Sequence, residues 1–187
     1  MTRLRATGLC LALSLAIGAG ACGGDEKPAA PSVKRSAKPM ASAELRWATP
    51  DGFKEETTPK PMRLATFTFP KVEGDTADAE LTITRVGGDR DSNIRRWKGQ
   101  IPGAELVIAE ESLGDLKITF VTLEGTFIGM PQPGAIQVPK DGYVMVVAMV
   151  EWPGHGDAHF FKLTGPAGTV EKARPAFEAM VRGLKHD

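Results

Sequence analysis

The stretch YVMVVAMVEW, residues 143–152, limits the fold of this chain more than any other. Successive side chains of a strand point to opposite faces, so apolar residues on consecutive positions require a strand that is covered on both sides. Pro153-Gly154-His155-Gly156 then turns the chain, and residues 158–163 (AHFFKL) return as its hairpin partner and closing strand. A strand buried on both faces needs a layer above and a layer below, which the rest of the chain must supply.

Other segments alternate with period two. In residues 62–69, Leu64, Thr66 and Thr68 fall on one face and Ala65, Phe67 and Phe69 on the other; in residues 79–86, Leu81 and Ile83 point inward against Thr82 and Thr84. Residues 45–48 (LRWA) form a short strand ended by Thr49-Pro50-Asp51-Gly52, and Phe53 starts a second one before the Thr58-Pro59-Lys60-Pro61 break. Residues 116–127 read as a strand bent near Gly125, residues 104–109 (AELVIA) as strand or helix, and the proline-rich residues 130–140 as a loop.

Two helices complete the pattern. Asp89, Asp91 or Ser92 caps a short one running to about Gly99, with Ile94 and Trp97 on one side. Residues 169–185 carry Val170, Ala173, Phe177, Met180 or Val181, and Leu184 at helical spacing. Pro175 requires either a kink there or a start near Arg174. Without regular strand–helix alternation, the expected class is α+β: an antiparallel sheet covered by a short internal helix and a long C-terminal helix.

The N-terminal segment sets the expected address. Arg3 and Arg5, the nine-residue apolar run 9–17 and the small residues 18–21 have the layout of an export signal, and the run is too short to span a bilayer. Ala19-Gly20-Ala21-Cys22 resembles the lipobox of bacterial lipoproteins, with Ala19 where leucine is usual. That resemblance implies cleavage before Cys22 and attachment of a diacylglyceryl group and an N-acyl chain there. Each buried methylene contributes about 0.8 kcal/mol, and more than one chain holds stably. The rival readings are a secreted protein cut near Ala21 and a buried structural cysteine, the second disfavoured by the adjoining Gly23-Gly24 and polar tether. Gly23 stands where the inner-membrane retention rule wants aspartate, which favours the outer membrane.

Cleavage removes both Cys10 and Arg3/Arg5, leaving no free thiol and no intrachain disulfide, so the mature fold must rest on burial. It also subtracts two of 23 basic residues and none of 23 acidic ones. A slightly acidic chain offers no electrostatic case for nucleic acid. Residues 23–43, with three prolines, six charges and no aromatic, read as a disordered tether reaching about 25 Å when flexible and ~70 Å when extended. Residues 44–187 form the expected single domain, large enough for its own core, and 42% of the whole chain is hydrophobic.

Chemical motifs are sparse. Gly87-Gly88 fits no nucleotide-binding loop, and Asp89 and Asp91 would repel an anion from the helix end. His155 and His159 have the spacing of a zinc pair with Asp157 between them, but Pro153, Gly154 and Gly156 forbid the helix that would align them; the alternative is two exposed loop histidines. Ser112 lacks the preceding glycine of a nucleophile elbow and reads as a turn residue, and Glu110 and Glu111 form no evident catalytic pair.

Residues 93–100 (NIRRWKGQ) and 160–166 (FFKLTGP), with Pro50-Asp51-Gly52-Phe53 and Met62-Arg63-Leu64-Ala65, resemble a family of uncharacterised bacterial lipoproteins bearing NRWRGQ-like and WFFKLTGP-like signatures. The resemblance spans about residues 45–185; Ile94-Arg95-Arg96 and His159 depart from it, and it implies no activity. Element order is also similar to the PsbP superfamily, an antiparallel sheet between helices, which implies binding or assembly work with a protein partner. The expected function is therefore a non-enzymatic, lipid-anchored envelope module binding an unknown envelope protein, without cofactor, nucleotide or nucleic acid. Asn93, Arg96, Trp97 and Lys162 are its candidate binding residues. The alternatives are a metal-binding or hydrolytic enzyme using His155, Asp157, His159 and Lys162, and a structural lipoprotein without specific ligand.

Overall fold

The structure is a computed structural model that describes residues 45–130 and 136–186. The expected signal segment, Cys22, the tether and residues 131–135 of the proline-rich loop lie outside the described residues. The described chain runs β1 (Leu45–Arg46), β2 (Lys54–Glu55), β3 (Ala65–Phe69), β4 (Ala79–Val86), α1 (Arg90–Lys98), β5 (Leu106–Leu113), β6 (Leu116–Phe127), β7 (Lys140–Glu151), β8 (Ala158–Pro166), α2 (Ala167–Arg182) and β9 (Lys185–His186). Seven strands form one antiparallel sheet in the order β2-β3-β4-β8-β7-β6-β5, while β1 pairs with β9. The class is α+β, an antiparallel sheet with a short internal helix and a long C-terminal one.

Strand β7 lies inside the sheet and is buried on consecutive positions from Met145 to Val150, as its sequence requires. Its even residues Val146, Ala148 and Val150 join Leu81, Ile83, Ile118, Phe120, Phe161 and Leu163 beneath α2, which contributes Val170, Ala173, Phe177, Met180 and Val181. Its odd residues Met145, Val147 and Met149 join Val121, Leu123 and Phe160 beneath α1, which contributes Ile94 and Trp97. The two cores are thus the two faces of one sheet.

Helix α1 starts where the sequence offers a cap: the Asp89 carboxylate accepts the Ser92 amide at 2.8 Å, satisfying one free N–H of the first turn. Helix α2 begins at Ala167 and carries Pro175 in its interior, so neither a start near Arg174 nor one at Thr169 holds. A proline there leaves the Glu171 carbonyl without its helical donor, and Glu171 is exposed, where water can serve. The apolar stripe stays in register through Leu184, beyond the helix.

Two expectations change. Strand β8 is central, bonded to both β4 and β7, whereas its sequence suggested a closing strand. Of residues 104–109, those from Leu106 on belong to strand β5, which runs on to Leu113, so Ser112 is a strand residue opposite Lys117 and the turn falls at Gly114-Asp115. The first strand, whose partner the sequence did not indicate, pairs with β9 at the other end of the domain.

The Thr49–Gly52 turn depends on its glycine. Gly52 has φ +78°, and a Cβ there would meet Phe69 Cε2 at 2.8 Å. Gly52→Ala combines left-handed strain with displacement of a core ring, and is expected to lower stability by about 1–2 kcal/mol in urea unfolding. A change below about 0.3 kcal/mol would mean the turn is not fixed in this geometry.

Candidate functional site

The two signature stretches separate into packing and surface. Asn93 is buried, its side-chain amide donating to the Asp89 carbonyl at 3.0 Å, so it fastens the start of α1. Trp97 is 2% exposed and meets the Phe160 ring edge-on at 5.3 Å. Gln100 is buried, and its carbonyl accepts the Ile128 amide at 2.9 Å. Arg96, by contrast, is exposed and sits over the Phe160 ring with 6.0 Å to the centroid. Of the four candidate binding residues, only Arg96 and Lys162 remain available to a ligand, and the structure brings these two together.

Lys162 projects from β8 on the α1 side of the sheet, between its register partners Thr82 on β4 and Val147 on β7. Helix α1 covers the sheet from β8 toward β6. The remaining part of that face, on β3 and β4, carries Thr66, Thr68, Glu80, Thr82 and Thr84. Arg63 reaches over this polar half from the turn before β3, donating to Glu80 Oε2 at 3.0 Å and to Thr66 Oγ1 at 3.4 Å. Lys60 is 3.6 Å from the same Glu80 oxygen and 2.6 Å from Glu56. Burial lowers the pKa of the Lys162 ammonium; Glu80 opposes this, while Arg63 and Arg96 push it lower still. Lys162 has no hydrogen-bond acceptor or ion-pair partner among the described residues. Thr164, two residues along on the same face, has a buried hydroxyl that is also unpartnered. The arrangement is suited to holding an anion.

The histidines stand elsewhere, at the end of the sheet. A cleft of about 250 Å³ is lined by Gly88, Lys117, Glu151, Trp152, His155 and Asp157, and an adjoining one of about 380 Å³ shares Lys117 and Glu151 and adds Arg90 and Glu110. His155 lies against the Trp152 indole at 4.2 Å, and His186 approaches the same indole at 4.3 Å. Asp115 joins them, accepting from Trp152 Nε1 and contacting His186 Nε2, both at 2.8 Å. His159 is not a loop residue: it is a buried strand residue opposite Arg85. Asp157 is 3.5 Å from Arg85. Among the described residues, no three histidine, cysteine or acidic side chains are grouped to hold a metal ion.

Burial lowers the pKa of His159, Arg85 adds to that, and Asp157 opposes it. The unfolded chain therefore binds a proton below about pH 6.5 that the folded chain refuses. Stability contributed by the neutral imidazole is complete above that value and is lost progressively as pH falls through the depressed folded value. Thermal unfolding at pH 7 and pH 5 should show a drop in midpoint that shrinks in His159→Gln. An equal drop in both proteins would exclude His159 as the source.

Sequence reasoning held Arg63 and Thr164 within signature stretches without singling them out as site residues, and gave Lys117 and Trp152 no such role. The alternating threonines of β3 and β4 were the available signal, but strand order alone places them beside Lys162.

No protein-family model and no curated protein sequence matches the chain. Among similar solved structures is LpqN, involved in cell envelope biogenesis of Mycobacterium tuberculosis, with 13% identity, 81% of this chain and 87% of that chain covered, and a TM-score of 0.47. A likeness at that level identifies neither a family nor an activity. Among the described residues no helix is long and apolar enough to cross a membrane.

Proposed function

We propose that this chain is a lipid-anchored protein of the cell envelope whose folded domain is a binding module for an acidic envelope component and not a catalyst. The lipobox-like segment ending at Cys22 supports the address, and Gly23 favours the outer membrane over the inner. The observation that carries the binding reading is that Arg63, Arg96 and Lys162, from a turn, a helix and a strand, all lie on the α1 side of the sheet, Arg63 bonded to Glu80 and Arg96 over the ring of Phe160, two residues before Lys162 on the same face. Five basic side chains there, counting Lys60 and Lys54, the β2 residue opposite Thr68, face two carboxylates, Glu56 and Glu80. This local excess of positive charge stands on a chain with no net positive charge overall.

Two measurements test the two halves of this reading. Mass spectrometry of the mature N-terminus should find an acylated Cys22, and an unacylated N-terminus at Gly23 or earlier would refute the anchor. A photo-crosslinking residue placed at exposed Lys98 on α1 should give a discrete adduct in intact cells, while one at exposed Lys172 on α2 should not. Equal adducts from both positions would refute the assignment of this face.

A further inference from the structure

We propose that Lys162, Arg96 and Arg63 form a site for a phosphate monoester, a ligand that rests on the binding-module reading and gives it a chemical class. A buried or half-buried ammonium without an acceptor is costly, and a bound anion is the simplest compensation. Lys162 is in that position, and the neighbouring carboxylate, Glu80, is already shared by Arg63 and Lys60. Donors approach the Lys162 patch from three elements: Arg96 from α1, held over the Phe160 ring; Lys162 from β8; and Arg63 from the turn preceding β3. The Thr164 hydroxyl lies beside them without a partner.

A tetrahedral dianion suits this set better than a carboxylate does. It offers three terminal oxygens in different directions, and its two charges answer a surplus of basic over acidic groups on this face. Arginine forks are well shaped for such oxygens, while lysine acts as a point charge. Near the sheet the patch is mainly threonine, with exposed Leu64 at its margin, so the phosphoryl group is the recognised feature. A lipid headgroup and a phosphorylated glycan both present it.

The test uses the full chain in detergent, titrated by calorimetry with glucose 1-phosphate and, separately, with monomeric dihexanoyl phosphatidic acid at constant ionic strength. Saturable binding of either supports the site, and the tighter of the two identifies the source of the phosphate. Lys162→Met and Arg96→Gln should each weaken binding at least tenfold. Lys162→Met should leave the thermal midpoint in phosphate-free buffer unchanged or higher, because it removes an ammonium that has no hydrogen-bond acceptor, so lost binding would not reflect misfolding. Arg95→Gln, one residue away on the exposed side of α1, should leave affinity unchanged. Absence of saturable binding, or equal losses from Arg95→Gln and Arg96→Gln, would overturn the site as a specific one. Either result would leave acylation of Cys22 and crosslinking from Lys98 standing as separate tests of the anchored-module reading.

Discussion

Phe161→Ala is expected to cost about 3–5 kcal/mol, the largest loss for a single substitution on the α2 side of the sheet. Phe161 is fully buried on the central strand β8, between Ile83 of β4 and Ala148 of β7. Both neighbouring strands are held by ladder hydrogen bonds, so they cannot close over the space that the ring leaves. Cavities that do not collapse lie toward the upper end of the range. The ring also receives the edge of Trp47 at 5.8 Å and 88°, a contact that ties the start of the domain to the sheet. A single domain typically has about 5–15 kcal/mol in all. Guanidinium unfolding should therefore show a much lower midpoint with an unchanged slope, and Phe161→Leu should recover most of the difference. A loss under 1 kcal/mol would mean that this side of the sheet is not a close-packed core.

What was legible in the sequence was local. The unbroken apolar run of β7 announced a strand buried on both faces, the cap candidates Asp89, Asp91 and Ser92 bracketed the start of α1, and the spacing of Val170, Ala173 and Phe177 traced the buried stripe of α2. Strand order was not legible, because it is fixed by long-range pairing that leaves no periodic trace. Hence β8 passed for a closing strand, although its apolar density already suited a central one. Residues 104–109 were ambiguous for a different reason: β5 is an edge strand with exposed Val107 and Ile108, so alternation is blurred where burial is incomplete.

The candidate site divides the same way. Arg96 and Lys162 were singled out as parts of two signatures 66 positions apart, and only the fold places them together. Arg63 and Thr164 had no individual signal, since each resembles an ordinary surface arginine or strand threonine. Conversely, Asn93 and Trp97 looked like recognition residues because polar and aromatic side chains in a marked motif invite that reading. Their motif instead encodes the docking of α1: Asn93 fastens its first turn and Trp97 its last.

That distinction gives the second large effect. Trp97→Ala is expected to cost about 3–5 kcal/mol, because it empties the centre of the core between α1 and the sheet, where Trp97 packs with Ile94, Ile101, Val121 and Phe160. Nine residues are too few for a helix to persist in water without such packing. Amide exchange through Arg90–Lys98 should therefore accelerate well beyond the change in the sheet. Arg96, the preceding residue, would lose its station over Phe160, so phosphate affinity should fall with the helix. Trp97→Phe keeps an aromatic body in the core and should restore most of both properties. A recognition residue would behave otherwise: Trp97→Ala would abolish binding at unchanged stability, and phenylalanine would rescue neither exchange nor midpoint because neither had been lost. Arg96→Gln supplies the opposite pattern, weakened binding on an intact helix. The pair of variants thus separates the residue that builds the face from the residue that uses it.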